Sequence, residues 1–327
     1  MSQDLRLDRR GLLAVAGVAA AVPATMALGG RTAQAAAPML GAARPGFYRF
    51  VHGEFEVTTV SDGAVALDGP HPIFGQDQEA SAVQELAAAN HLPADKMEIA
   101  FSPVVVNTGS ELVLFDGGNG AGAKPARGHL LDNLAAAGYS ADQIDVVVIT
   151  HMHPDHIGGL MAEGAPVFSN ARYVTAAAEY DFWSPEDKLT GPTERVAKLV
   201  QSNVVPLADK MSFIKSGDDV VSGITSIDAS GHTPGHMAYN IESSGKRLLL
   251  WADAANHFVV SIQRPDWHVR FDMDKEKAAS TRKALFDMAA ADGVAVTGYH
   301  MPGNALGYIN KSDAGYRWVP ATYQLSL

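Results

Sequence analysis

The chain of 327 residues contains no cysteine. Thiolate metal ligands, disulfide bridges and cysteine nucleophiles are therefore excluded. A GxSxG motif is also missing, so the sequence gives no sign of a serine hydrolase of that type. Acidic residues outnumber lysine and arginine, the formal net charge is −11, and no basic cluster is present, which argues against nucleic-acid binding. The remaining candidates for chemistry are histidines and carboxylates.

Long apolar runs are confined to the N-terminus. An Arg-Arg pair precedes the apolar run of residues 11–29, and a small-residue cleavage region follows at residues 33–35. This order is typical of a twin-arginine signal peptide, so we expect residues 1–37 to direct export to the periplasm or out of the cell and then to be removed. A retained membrane anchor is the alternative, but Pro23 and the weak hydrophobicity of the run disfavour a stable span.

Residues 38–327 are expected to form a single domain. Hydrophobic residues make up 47% of the chain, which is enough for a large core, and no linker or repeat interrupts this part. Alternation predicts a strand within residues 53–63, and two β-branched runs predict a hairpin at residues 102–118. Apolar spacing predicts helices at residues 129–140 and 278–293.

Two further patterns concern burial. A continuous apolar run from Ile144 to Thr150 predicts a strand buried on both faces, as in a sheet covered by helices. In the predicted helix 278–293, Arg282 and Lys283 are interpreted as part of a solvated face.

The stretch ITHMHPDHIGG, residues 149–159, follows that apolar run and crowds together four side chains that metals favour. His151 and His153 are two positions apart, so an extended loop would direct both toward one ion. Pro154 favours a helix that begins at its own position, which would turn Asp155 and His156 toward a second point. The two glycines that follow permit close backbone approach. The spacing predicts two neighbouring ions.

Three more candidate ligands lie elsewhere in the chain. His232, Asp253 and His300 each follow a short β-rich run. Open α/β sheets bind their ligands at the ends of such strands. The alternative is that these are ordinary structural residues, but so many at equivalent positions favour a shared metal site.

The motifs HMHPDHIGG, GHTPGH, LLLWADA and GYHMPG resemble the two-metal form of the metallo-β-lactamase superfamily. More narrowly, segments such as ITHMHPDHIGGLM, EYDFW and GYRWVP are similar to exported methyl-parathion hydrolases and related organophosphate hydrolases. The resemblance implies an α/β fold, an αββα sandwich with two central sheets flanked by helices.

The resemblance also implies seven metal ligands. These are His151, His153 and His232 for one ion, Asp155, His156 and His300 for the other, and Asp253 for both. Asp253 would bridge the ions together with a hydroxide that attacks the substrate, which makes Asp155 and Asp253 the candidate catalytic carboxylates. Imidazole and carboxylate ligands suit two zinc ions, with manganese, iron or cobalt as alternatives.

Four other residues receive expected roles. The resemblance implies that Asp116 orients a metal-binding histidine and that Trp183 lines a leaving-group pocket; a turn-forming aspartate and a plain core tryptophan are the alternatives. His257 and Phe258 are candidate pocket residues. His236 is interpreted as a structural hydrogen-bonding residue rather than a ligand.

The function implied is that of an exported two-metal hydrolase that cleaves organophosphate triesters. Aromatic residues expected near the pocket are missing from residues 116–130 and 189–201, which should weaken binding of aryl leaving groups. Cleavage of lactones or carboxylic esters is therefore the alternative, followed by β-lactam hydrolysis and by a non-catalytic metal-binding role. We expect a small-molecule ester as substrate and, by analogy alone, a homodimer.

Overall fold

The computed structural model describes residues 38–39, 42–313 and 315–323. Every element described below lies in one compact unit that begins at Arg44. The predicted signal peptide lies outside the described residues, so export and cleavage stay predictions. Within the described ranges, no helix has both the length and the apolar character needed to cross a bilayer.

The described residues form eighteen β-strands and seven α-helices. The strands are β1 (Phe47–His52), β2 (Phe55–Val60), β3 (Gly63–Asp68), β4 (Lys96–Phe101), β5 (Val104–Asn107), β6 (Leu112–Phe115), β7 (Val146–Ile149), β8 (Met161–Ala162), β9 (Ala165–Pro166), β10 (Arg172–Ala176), β11 (Met211–Ile214), β12 (Asp219–Val221), β13 (Ile224–Asp228), β14 (Met237–Ser243), β15 (Lys246–Leu250), β16 (Ala295–Thr297), β17 (Leu306–Ser312) and β18 (Gly315–Pro320). The helices are α1 (Ala80–Ala89), α2 (Leu130–Ala136), α3 (Pro154–Ile157), α4 (Ala177–Trp183), α5 (Glu194–Asn203), α6 (Val260–Gln263) and α7 (Lys275–Asp292).

Most of the strands belong to two seven-stranded sheets. The first has the order β1-β2-β5-β6-β7-β10-β11, and the second runs from β12 to β18 in chain order. In the first sheet, β6, β7, β10 and β11 are mutually parallel, whereas the strands on the other side pair antiparallel. The second sheet is antiparallel apart from the pair β15 and β16.

The two sheets pack face to face, and strand β7 shows how. Val146 and Val148 belong to the apolar cluster between the sheets, together with Leu248 of the second sheet. Val147 and Ile149 alternate with them and belong to the cluster on the outer side of the first sheet. All four residues of β7 are buried, which confirms the strand buried on both faces. Full burial of each such side chain contributes about 1.5–3 kcal/mol.

Helices cover both outer faces. Leu134 of α2, Trp183 of α4 and Val200 of α5 pack in the cluster outside the first sheet. Leu285 and Phe286 of α7 pack outside the second sheet. The αββα sandwich predicted from the sequence is thereby confirmed. The predicted strand, hairpin and helices also appear, as β2, β5 with β6, α2 and α7.

The expectation for Arg282 was wrong, since its side chain is only 1% exposed. Its Nη2 donates to Asp272 Oδ2 at 2.7 Å, and its Nε and Nη1 donate to the carbonyl oxygens of Ala254 and Pro265. A guanidinium can be buried at little net cost when its donors all meet acceptors. Arg282 therefore ties α7 to the loops beneath it, while Lys283 is exposed as expected.

Candidate metal centre

The predicted ligands follow the ends of strands from both sheets. His151 lies two residues after β7, His232 lies beyond β13, and Asp253 and His300 each lie three residues after β15 and β16. His153 is the residue that caps α3, whose first residue is a proline, as the sequence predicted.

The structure brings all seven side chains together in two groups that share one carboxylate. The first group is His151, His153, His232 and Asp253, and the second is Asp155, His156, Asp253 and His300. Within each group the candidate ligand atoms lie within 4.8 Å of one another. Their roles as ligands remain our prediction, and the geometry below supports it.

In the first group, three imidazole nitrogens surround one point. His151 Nε2 lies 3.1 Å from His153 Nδ1, which in turn lies 2.9 Å from His232 Nε2. Asp253 Oδ2 lies 3.8 Å from His151 Nε2 and 3.4 Å from His232 Nε2. Three nitrogens and one carboxylate oxygen form the four-ligand set that zinc and similar ions prefer.

The second group places two imidazoles between two carboxylates. His156 Nε2 lies 3.4 Å from Asp155 Oδ2 and 3.3 Å from Asp253 Oδ1. His300 Nε2 lies 3.5 Å from Asp155 Oδ2 and 3.0 Å from Asp253 Oδ2. Asp253 thus directs Oδ1 at His156, while Oδ2 lies between His300 and the first group, which fits a carboxylate shared by two ions.

Unpartnered polar atoms show that the residues fit a pair of cations. His156 Nε2 and Asp253 Oδ1 are buried and have no hydrogen-bond partner among the described residues. Buried polar atoms nearly always have a partner, so this pair is expected to face a bound group. Burial lowers the pKa of His153 to about 3, which leaves a neutral imidazole available as a ligand. Burial opposes the ionisation of Asp253, but His300 and His156 outweigh it and hold its pKa well below the usual range.

Asp116, expected from the sequence to orient one metal-binding histidine, contacts His156 directly and His151 through the Thr150 hydroxyl. Its Oδ2 lies 2.8 Å from His156 Nδ1 and accepts from the Thr150 hydroxyl at 2.9 Å, while Oδ1 accepts from the Thr150 amide. The same hydroxyl lies 3.1 Å from His151 Nδ1. Asp116 adopts a φ of 68°, an uncommon conformation that aspartate tolerates. Carboxylates in this position fix the tautomer and direction of metal-binding imidazoles.

The glycines after His156 allow the loops to meet. A Cβ on Gly159 would lie 2.1 Å from the carbonyl oxygen of Gly117, and one on Gly158 would lie 2.5 Å from that of Asn119. Both contacts are shorter than any side chain tolerates, so the predicted close backbone approach is confirmed.

Asp272, which the sequence did not single out, positions His232. Its Oδ1 lies 2.8 Å from His232 Nδ1, and its Oδ2 accepts from Arg282. No motif marks an aspartate 40 positions from its histidine partner, so only the fold reveals it. His300 is oriented differently, because its Nδ1 lies 2.8 Å from the carbonyl oxygen of Ala100 and donates to it.

His236 is a structural hydrogen-bonding residue, as interpreted from the sequence. Its Nδ1 lies 2.9 Å from the Ala229 carbonyl oxygen, and its Nε2 accepts from the Asp253 amide.

Trp183, expected in a leaving-group pocket, is buried in the core. It is 2% exposed and is not among the residues lining the cavity described next. Its indole N–H donates to Glu179, which turns the ring into the core, so the expected pocket role of Trp183 is corrected.

A cavity of about 540 Å³ adjoins the second group, and His300 forms part of its wall. Much of the remaining lining is apolar, including Phe47, Tyr48, Val60, Leu92, Met97 and Phe258. Asn256 and His257 supply polar groups beside the centre. Asn256 Nδ2 donates to Asp253 Oδ2 at 2.9 Å.

The protonation of His257 is fixed by its surroundings. Burial lowers its pKa to about 4, so the ring is neutral near pH 7. Its Nδ1 accepts from the amides of Val259 and Val260, each at 3.1 Å, which leaves Nε2 as the N–H donor. The ring stacks on Phe258 with an interplanar angle of 4°. Both residues line the cavity, and their contact with a substrate stays a prediction.

The chain belongs to the metallo-beta-lactamase superfamily, since the model of that family matches residues 102–294. This range contains six of the seven candidate ligands, all except His300.

Curated relatives include two lactonases. The N-acyl homoserine lactonase AttM of Agrobacterium fabrum (strain C58) is 26% identical over 132 residues, which cover 38% of this chain and 46% of AttM. An N-acyl homoserine lactonase of Bacillus cereus is 26% identical over 152 residues, which cover 46% of this chain and 54% of the relative. The chain thus spans about half the length of the curated relatives it matches.

Solved structures match over nearly their whole length. AidC, described as a dizinc quorum-quenching lactonase in complex with a product, superimposes with a TM-score of 0.76 at 26% identity, covering 85% of this chain and 98% of AidC. The hydrolase AbOPH, described as a member of the beta lactamase superfamily, gives a TM-score of 0.78 at 26% identity, covering 86% and 99%. These relatives do not support the narrower resemblance to methyl-parathion hydrolases and favour the lactonase alternative.

Proposed function

We propose that this chain is a two-metal hydrolase that opens lactone rings bearing an apolar side chain. The observation that carries this proposal is the largely apolar cavity of about 540 Å³ beside His300. Its volume lies within the range of roughly 300–1,000 Å³ usual for small-molecule sites. Three of the four named relatives are described as lactonases, and one of these as dizinc, which supports the same substrate class and two divalent ions.

The seven side chains would hold the ions, and Asp253 would be shared between them. When bound, such a pair of ions activates a water molecule and polarises the carbonyl oxygen of the substrate. Asp116 and Asp272 keep the ligand histidines in the tautomer that presents a free nitrogen. The chain lacks cysteine, so histidine and carboxylate ligands fit zinc, manganese, iron or cobalt, with zinc our choice.

The polar groups at the cavity floor would orient the ester. His257 is neutral with its proton on Nε2, so it can donate a hydrogen bond but cannot act as a base through Nδ1. We expect it to donate to an oxygen of the substrate. The apolar wall would receive the side chain of the lactone, since an alkyl group gains about 0.8 kcal/mol for each methylene that it buries.

Cleavage of organophosphate triesters, the leading expectation from the sequence, has less support. That expectation came from the resemblance to methyl-parathion hydrolases, which also implied that Trp183 lines a leaving-group pocket, and Trp183 is instead buried against Glu179. The cavity still contains Phe47 and Phe258, so a slower side reaction with triesters is compatible with its shape.

A panel of substrates tests the proposal. The metal-loaded protein would be assayed on a long-chain N-acyl lactone, a lactone without a side chain, an aryl ester, an aryl phosphotriester and a β-lactam. We expect the highest kcat/KM on the long-chain lactone, at least about tenfold above the unsubstituted one, in line with burial of several methylenes. An equal or higher kcat/KM on the phosphotriester would overturn the proposal.

A further inference from the structure

A single buried glutamate receives four hydrogen bonds beneath the metal centre. Glu179, in α4, has no exposed surface. Its Oε1 accepts from the Met152 amide at 2.9 Å and from the Trp183 indole N–H at 3.0 Å. Its Oε2 accepts from the Thr233 hydroxyl and from the Gly235 amide, both at 2.8 Å. Every one of these donors lies in the chain segments that carry ligands, or against one of the ligands.

Two hydrogen-bond partners of Glu179, one through its amide and one through its hydroxyl, are sequence neighbours of the first metal group. Met152 stands between His151 and His153, and its amide hydrogen bond fixes the direction of that extended segment. Thr233 directly follows His232. One carboxylate thus joins two segments that lie far apart in the sequence and that together supply three imidazoles to one ion.

Glu179 also acts on the first metal group through Trp183. Trp183 packs edge-on against His153, with ring centroids 6.5 Å apart at 63°. Since Glu179 holds the indole N–H, it also fixes the surface on which His153 rests. Gly235 completes the arrangement, because a Cβ at that position would lie 2.2 Å from the Glu179 amide nitrogen. This explains the second glycine of the GHTPGH motif.

The donor set suits an ionised carboxylate. Burial raises the pKa of Glu179, and the four hydrogen bonds oppose that rise. Three of the donors are N–H groups, which cannot accept a proton from the carboxyl group. A buried carboxylate with each oxygen doubly hydrogen-bonded is a rigid anchor, and removing its charge leaves donors without an acceptor.

We infer that Glu179 is a positioning residue for the ion that His151, His153 and His232 would hold, because it joins the two segments that carry them, while Asp272 orients the His232 ring. Among the described residues Glu179 has no hydrogen bond to the histidines of the second group, which are held by Asp116 and by the Ala100 carbonyl. The inference rests on the two-metal centre in the proposed function but not on which ester is cleaved. Metal affinity therefore tests it separately from the choice of substrate.

The test compares Glu179→Gln with a matched control, Asp62→Asn. Asp62 is another fully buried carboxylate, and it accepts from the Asn119 and Leu130 amides, which lie outside the segments that carry ligands. Metal-free protein of each variant would be titrated with zinc in competition with a chromophoric chelator. In cadmium-113 NMR spectra of the cadmium-loaded protein, the two sites would give separate signals, because one would have three imidazole ligands and the other two. These signals would show which of the two sites binds metal more weakly.

We expect Glu179→Gln to weaken the three-imidazole site by about 10–100-fold, the usual effect of removing a group that supports metal ligands, and to leave the other site within about threefold. Asp62→Asn should leave both affinities unchanged. Wild-type affinity at both sites in Glu179→Gln, or an equal loss at both sites, would overturn the inference.

A second variant covers the case in which Glu179→Gln does not fold. Thr233→Val removes one donor while keeping the side-chain shape, and we expect a several-fold loss at the same site only. Its control is Thr175→Val, at a buried threonine whose hydroxyl donates to the Ile149 carbonyl. Equal zinc affinities in these two threonine variants would refute the role of Glu179.

Discussion

His153 Nδ1 lies 2.9 Å from His232 Nε2, although 79 positions separate the two residues in the chain. Two imidazole nitrogens at this distance share either a proton or an ion. Burial lowers the pKa of His153 to about 3, whereas the pKa of His232 rises to about 9, because hydrogen bonds to Asp253 and Asp272 overcome its burial. In the metal-free protein, a proton between these two nitrogens therefore favours His232 over His153.

Metal binding should therefore release protons. The pKa values of His156, His232 and His300 are raised in the metal-free protein, because neighbouring carboxylates outweigh burial, so these rings hold a proton to higher pH than a free imidazole and must lose it to bind a cation. We predict release of more than one proton per protein on zinc binding at pH 7, and weaker affinity as the pH falls. Calorimetry in buffers of different ionisation enthalpy measures this number; an enthalpy independent of the buffer would contradict the prediction.

Replacing Asp253, the carboxylate shared by both groups, should weaken the binding of both metal ions. We predict that Asp253→Ala retains less than one zinc ion per protein after dialysis, whereas His300→Ala retains about one, because only Asp253 faces both groups. Hydrolysis should fall at least about hundredfold in both variants. His268→Ala is the control, since His268 lies outside the centre and pairs with Glu276. Elemental analysis showing two ions in Asp253→Ala would disprove the bridging role.

The sequence gives stronger signals for the seven candidate ligands than for the residues that support them. The candidates lie in motifs or after β-rich runs, and the structure groups them, while their role as ligands stays a prediction. The strand at Ile144–Thr150 showed its buried character by composition alone. Glu179 gave no such signal, because one glutamate in a short helix is normally exposed, and only packing reveals that it joins two distant loops. Arg282 was wrongly predicted to be exposed, because the acceptors that allow its burial lie at residues 254, 265 and 272 and no local pattern joins them to it.

The pocket was predictable only in part. His257 and Phe258 follow the bridging aspartate closely in the chain, so they could be expected near the centre. The apolar wall comes from distant residues, among them Phe47, Leu92 and Met97, and no local pattern joins these. Trp183 was misjudged because its helix rotates it toward Glu179.

The buried Arg282–Asp272 pair should matter for stability. We predict that Arg282→Met lowers the free energy of unfolding by about 3–5 kcal/mol, because it removes the guanidinium that pairs with buried Asp272 and leaves that carboxylate with the His232 imidazole alone. Lys283→Met, at an exposed position on the same helix, should change it by no more than about 0.5 kcal/mol. Urea denaturation measures both values in the metal-loaded protein. A loss of less than 1 kcal/mol in Arg282→Met would show that the pair contributes little.

Substrate preference should depend on the cavity wall. Phe258 lines the cavity and stacks on His257, so Phe258→Ala removes apolar contact without touching a ligand. We predict a rise in KM of about tenfold for a long-chain lactone and a smaller rise for an unsubstituted one, with kcat little changed. Phe213→Ala, at a partly exposed position in β11, is the matched control. Equal effects of Phe258→Ala on both lactones would show that the side chain binds elsewhere.

Reconstitution of the metal-free protein with zinc tests the two-ion centre most directly. Lactone hydrolysis would be measured at each step of a titration carried out well above the dissociation constants. Activity should be absent without metal and should rise to a plateau at two equivalents of zinc per chain. A plateau at one equivalent, or hydrolysis at the full rate without metal, would contradict a centre built by seven side chains around two ions.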